Sequence, residues 1–112
     1  MRGRRVPLAL ALMTGLSALG LATLANDEAK IRNYGRHLAQ ECTGCHRIDG
    51  VDNGIPSILG WDADLFAKTL DFYRTGGRTN PVMVSVAQSL DQDQVRALAA
   101  YYASLPKPAL KR

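Results

Sequence analysis

The chain has 112 residues, with 14 Lys and Arg against 10 Asp and Glu and a formal net charge of +4. That length suits one small domain with a modest core. It contains neither a polybasic run nor interleaved aromatic and basic residues, so its charge gives nucleic-acid binding no support.

The positive balance is concentrated at the start. Arg2, Arg4 and Arg5 precede an uncharged stretch from Val6 to Leu24 that is rich in Leu and Ala. Thr23-Leu24-Ala25 then offers small residues at the two positions a signal peptidase reads. This pattern predicts a secretory signal peptide over residues 1–25, cut near Ala25, and an exported domain over residues 26–112. The competing reading is an uncleaved membrane anchor, but Pro7, Thr14, Gly15, Ser17 and Gly20 dilute the apolar run. Three of the fourteen basic residues fall in this leader, so the remainder nearly balances the ten acidic ones. Export implies a periplasmic location and no stable membrane insertion after cleavage.

Asn26 or Asp27 is expected to cap a first helix that runs to about Gln40, with Ile31, Tyr34 and Leu38 as its buried stripe. Gly35 lies within that helix, where glycine costs roughly 1 kcal/mol relative to alanine. It marks either a close approach of another backbone or ring, or a tolerated defect.

Cys42-Thr43-Gly44-Cys45-His46 follows, matching the C-x-x-C-H signature of covalent haem attachment. Two thiols on one helical turn can each reach a vinyl group along one porphyrin edge. His46, directly after Cys45, supplies an imidazole beneath the iron. A redox or zinc C-x-x-C pair is the alternative for the same residues. The chain has two cysteines, both in this motif. A disulfide between them would close a tiny loop and stabilise little, whereas a covalently held macrocycle can help build a small core.

Residues 47–60 read as loop, with Asp49-Gly50, Asn53-Gly54 and Pro56 as turn signals. Asp62 caps a second helix with Leu65, Phe66, Leu70 and Tyr73 on its apolar face, ended by Gly76-Gly77. Residues 78–89 read as an extended connection holding Asn80-Pro81 and Met83. A last helix opens at Asp91 with Gln94 three residues on, a variant capping box. Its stripe is Val95, Leu98, Tyr102 and Leu105, and Pro106 stops it. No strand pattern or internal repeat is present. The fold class is all-α.

With Cys42 to His46, Met83 and this helix order, residues 27–105 resemble the class I c-type cytochromes. The likeness is greatest to the short bacterial monohaem type and to one half of the dihaem bacterial cytochromes. Gly35, Ile55-Pro56, Asn80-Pro81-Val82-Met83 and Leu98-Ala99-Ala100-Tyr101-Tyr102 fall at that family's landmarks. The resemblance implies a small cytochrome c fold whose N- and C-terminal helices cross around one covalently bound haem c, with Gly35 facing Tyr101 or Tyr102. It implies that Cys42 and Cys45 tether the haem and that His46 and Met83 ligate the iron. Pro56 would offer its carbonyl to the proximal imidazole. Trp61 is a candidate donor to a haem propionate through its indole N–H. Arg78 is a weaker one. Arg47 and Trp61 depart from the residues common at their positions.

The function implied is periplasmic one-electron transfer between redox partner proteins, without catalysis of its own. Two alternatives accompany it. One is a dedicated cytochrome subunit of a larger oxidoreductase, such as a flavoprotein sulfide dehydrogenase. The other is a haem sensor or peroxidase-like enzyme with a labile methionine.

Overall fold

Two helices carry the fold, and they meet where one of them has no side chain. The computed structural model describes Gly3 and residues 13–109, with four α-helices and no strand among them. Helix α1 spans Met13–Leu38 and passes into a single 3-10 turn, Ala39–Glu41. Helix α2 spans Ala63–Thr75, α3 Pro81–Ser89 and α4 Gln92–Ser104. α1 packs chiefly on α4, and α2 packs on both α3 and α4.

At the crossing of α1 and α4, Gly35 is buried. A Cβ there would overlap the Ala97 carbonyl and stand 2.8 Å from Tyr101 Cβ. Close approach, rather than a tolerated defect, explains this glycine. The buried side of α1 is therefore Gly35, continued by Ala39 of the 3-10 turn and flanked by the half-buried Ile31 and Leu38. Tyr34, expected on that stripe, is 45% exposed. It lies one position off the contact line, where a small residue is needed and a ring has nowhere to go.

The first helix also begins earlier than expected. Asn26 and Asp27, anticipated as caps, lie inside α1, because the Leu- and Ala-rich segment before them consists of good helix formers that extend it upstream. Every residue from Leu19 to Glu28 is exposed. The basic start of the expected leader, with Arg2, Arg4 and Arg5, lies outside the described residues.

The other caps follow the sequence. Asp62 accepts from the Leu65 N–H at 3.0 Å, and Gly76 ends α2 in the left-handed conformation. Asp91 accepts from the Gln94 N–H at 2.8 Å while the Gln94 side chain accepts from the Asp91 N–H at 3.0 Å, closing the capping box. On α2, Phe66 and Leu70 are buried, but Leu65 is 54% exposed, since it faces away from α4 one residue before the contact line. On α4, Val95, Leu98 and Tyr102 are buried as expected. Gly60 has φ +69 and donates its N–H to the Tyr102 carbonyl at 2.9 Å, pinning the end of the long loop to α4.

Residues 81–89 are helical, not extended. Asn80 accepts at one side-chain oxygen from the Val82 and Met83 N–H groups, both at 3.1 Å, and Pro81 takes the first helical position, where its missing N–H costs nothing. The Asn-Pro pair is thus a helix start rather than a turn.

Gly35→Ala is expected to destabilise the fold by about 1–3 kcal/mol through overpacking of the crossing. Denaturant melts of the wild type and variant check this; an unchanged midpoint would remove Gly35 from the contact.

Candidate functional site

The segments flanking the motif and the three C-terminal helices enclose a cavity of about 420 Å³, within the range of sites for small molecules and cofactors. Its base is apolar, formed by Phe66 and Leu70 of α2 and Leu98 of α4. Cys42, Cys45 and His46 enter from the end of α1, Pro56 and Trp61 from the long loop, and Met83 from the first turn of α3. All six residues singled out in the sequence therefore line one cavity. Ile58 and Tyr73 line it too.

The backbone at the motif continues the turn begun by the 3-10 segment. The Cys45 and His46 N–H groups donate to the Cys42 carbonyl at 3.2 and 2.9 Å, which holds the two cysteines and the histidine on one turn. His46 Nδ1 lies 2.7 Å from the Pro56 carbonyl oxygen. A carbonyl only accepts, so Nδ1 carries the proton and Nε2 keeps its lone pair. The ring is thereby oriented by the loop before any ligand is considered.

Trp61 differs from expectation. Its indole N–H donates to the Ser57 carbonyl at 3.1 Å, so the donor anticipated for a propionate is engaged within the loop. The ring still lines the cavity. The Arg78 guanidinium sits 5.5 Å from the Tyr73 ring centroid and reaches its hydroxyl at 3.5 Å, also at the cavity wall. His37 is exposed on α1, away from these groups.

Sequence reasoning missed the α3 contribution beyond Met83. Val82 and Val86 line the cavity with it, and the Asn80-Pro81 helix start was the available signal. It also missed that Cys42 packs against the cluster that contains Tyr102.

The donor set decides between chemistries. Both cysteines are free thiols, Cys42 half-buried and Cys45 exposed. Burial pushes the Cys42 thiol above its ordinary value. Among the described residues no group of three or more His, Cys, Asp or Glu could hold a metal ion, which tells against a zinc site. Among the described residues there is no strand to support a thioredoxin-like pair. One imidazole, one thioether and two thiols around an apolar cavity fit a haem.

Comparison with known proteins agrees. The chain is 34% identical over 103 residues to a thiosulfate dehydrogenase electron acceptor from Stutzerimonas stutzeri, covering 86% of this chain and 48% of that protein. It is 29% identical over 94 residues to cytochrome c-553 from Helicobacter pylori, covering 80% of this chain and 95% of that protein. Its fold matches reduced recombinant cytochrome c4 from Pseudomonas stutzeri with a TM-score of 0.60 and 33% identity, over 70% of this chain and 50% of the other.

In sequence and in fold the chain is similar to the class I c-type cytochromes.

No family model matches it. It spans about half the length of the thiosulfate dehydrogenase electron acceptor. Its c-type relatives imply haem c as the cofactor. No helix among the described residues is long and apolar enough to cross a membrane.

Immediately after the motif, Arg47 Nε donates to Asp49 Oδ1 at 3.0 Å, and a second Arg47 nitrogen contacts Asp49 Oδ2. The same carboxylate accepts from the Val51 N–H at 3.0 Å. The Arg47 guanidinium, and then the Val51 N–H, hold the Asp49 carboxyl at about 2, below the ordinary 3.8. A depressed carboxylate supports the fold above its unfolded value and loses that support as pH falls through the folded one. Asp49→Asn is therefore expected to flatten the acid limb of the stability profile between pH 3.8 and about 2. The effect is small, since the pair is exposed. Thermal melts across that window check it, and an unaltered slope would contradict the assignment.

Proposed function

We propose that this protein is a periplasmic one-electron carrier with one haem c per chain. Cys42 and Cys45 form its two thioether tethers, and His46 and Met83 its axial ligands. The observation that carries this reading is the convergence of both cysteines, His46, Pro56 and Met83 on one apolar cavity. The bound haem iron would supply the ferrous/ferric couple.

The chain's own residues set the conditions for that couple. The Pro56 carbonyl accepts from His46 Nδ1 and so leaves Nε2 directed to ligation, while strengthening the imidazole as a donor. Met83 offers a soft thioether, which favours the reduced iron and raises the potential. Its backbone is held by the Asn80 side chain, in the first turn of α3, so the sulfur is presented by a capped helix. Phe66, Leu70 and Leu98 exclude water from the base of the cavity. With two protein ligands there is no open position for a substrate, and the role is electron transfer rather than catalysis. Cys45 is exposed, so the tethered edge is the natural route for electrons.

Cleavage near Ala25 belongs to the same reading. Residues 19–25 are all exposed, so their removal takes no side chain from the core. N-terminal sequencing of exported protein is expected to begin at Asn26; a start at Met1 on membrane-bound material would overturn this.

A second reading keeps the same haem centre within a larger oxidoreductase. The likeness to the thiosulfate dehydrogenase electron acceptor favours a sulfur-compound dehydrogenase as donor, over the flavoprotein sulfide dehydrogenase considered from sequence. Stable co-purification with a dehydrogenase would favour a dedicated subunit.

Met83→Ala is expected to abolish the long-wavelength band of sulfur–iron bonding in the oxidised protein. It should also lower the potential by on the order of 0.1 V or more, within the ~0.8 V span commanded by axial ligands. Absorption spectra and redox titration test this; persistence of the band would exclude Met83 as ligand.

A further inference from the structure

Tyr102 carries a polar atom that the fold leaves unpaired. Its side chain is 1% exposed, and its hydroxyl is buried without a hydrogen-bond partner among the described residues. The ring stacks on Phe66 with centroids 5.4 Å apart and meets Tyr101 edge-on at 5.3 Å, so it cannot turn to bring the hydroxyl to water. Leaving such a group unpaired costs about 1–3 kcal/mol, and natural cores keep few of them. A phenylalanine would give the same stacking without that cost.

Cys42 supplies the reason. Its side chain packs against the cluster that contains Tyr102, near enough for each group to shift the other's proton affinity. Burial, and then the neighbouring Cys42, hold that hydroxyl well above the ordinary phenol range, so it remains a proton donor. The two cysteines of the motif are not equivalent, since Cys42 is half-buried and Cys45 exposed. A free thiol both donates and accepts weakly. A thioether sulfur has no hydrogen and can only accept, so once tethered Cys42 offers Tyr102 an acceptor that no longer competes as a donor.

We propose that Tyr102 is a positioning residue for the cofactor tether, its buried hydroxyl donating to the Cys42 thioether sulfur and fixing that linkage, while the Cys45 linkage stays free of such a contact. This rests on the haem reading above. It makes the two tethers chemically distinct, one held by the core and one open to solvent.

The test is resonance Raman spectroscopy of the matured holoprotein in H2O and D2O, alone and as Tyr102→Phe. In the parent, one of the two thioether C–S stretching bands is expected to shift on deuteration and the other to stay. In Tyr102→Phe that shift disappears, while the His- and Met-dependent optical bands are retained. A purely structural role for Tyr102 would alter the melting temperature and leave the C–S bands indifferent to deuterium. Two indifferent C–S bands in the parent would overturn the proposal without recourse to any variant, as would a shift that survives in Tyr102→Phe. Either result would leave the carrier reading intact, whereas a polypeptide without attached haem would overturn both.

Discussion

The close crossing of α1 and α4 at Gly35 is the constraint from which the rest of the molecule follows. Because α1 has no side chain at that point, its backbone settles against the Ala97 carbonyl of α4. The end of α1 and the 3-10 turn after it are then fixed over the Leu98 and Tyr102 face. Cys42, Cys45 and His46 are carried on that end and arrive at the cavity as a unit. The opposite end of the long loop is tied to the same helix by the Gly60 N–H and the Tyr102 carbonyl. α4 thus serves as the common reference for both ends of the segment that bears the motif.

Around that frame the core is small. Among the described residues its buried members are two from α2, five from α4, Ala39 and Ala87, and several of the larger apolar side chains face the cavity rather than one another. A domain of this size has little surface to bury among its own residues. An apolar macrocycle seated between α2, α3 and the motif would complete that core, so cofactor and fold stabilise each other. The same geometry presents the two proposed ligands: His46 is oriented by a loop carbonyl and Met83 by a helix cap, each by backbone that the local sequence specifies.

Much of this was legible in the residues, and where it was not the reasons are physical. The Cys42–His46 motif, the caps at Asp62 and Asp91, and the all-α class rest on local chemistry and were readable directly. Gly35 was readable as an anomaly, but its partner Ala97 is distant in sequence. Asn80-Pro81 serves equally well as a turn and as a helix start, and α3 is too short for its periodicity to choose between them. Tyr34 and Leu65 match a helical stripe by spacing, yet stripe width depends on how closely the neighbouring helix approaches. The Trp61 indole found the Ser57 carbonyl because the loop folds back on itself, which no pattern of residue types announces. The packing of Cys42 against the cluster that contains Tyr102 is likewise a matter of tertiary placement alone.

In the function proposed for this chain, two thioether bonds hold a haem within this cavity. The most direct test is the mass of the denatured polypeptide after production in a host competent for cytochrome c maturation. The chain is expected to retain the mass of one haem under denaturing conditions, with no thiol left to alkylate at Cys42 or Cys45. A folded chain with the mass of the polypeptide alone and both thiols reactive would contradict it.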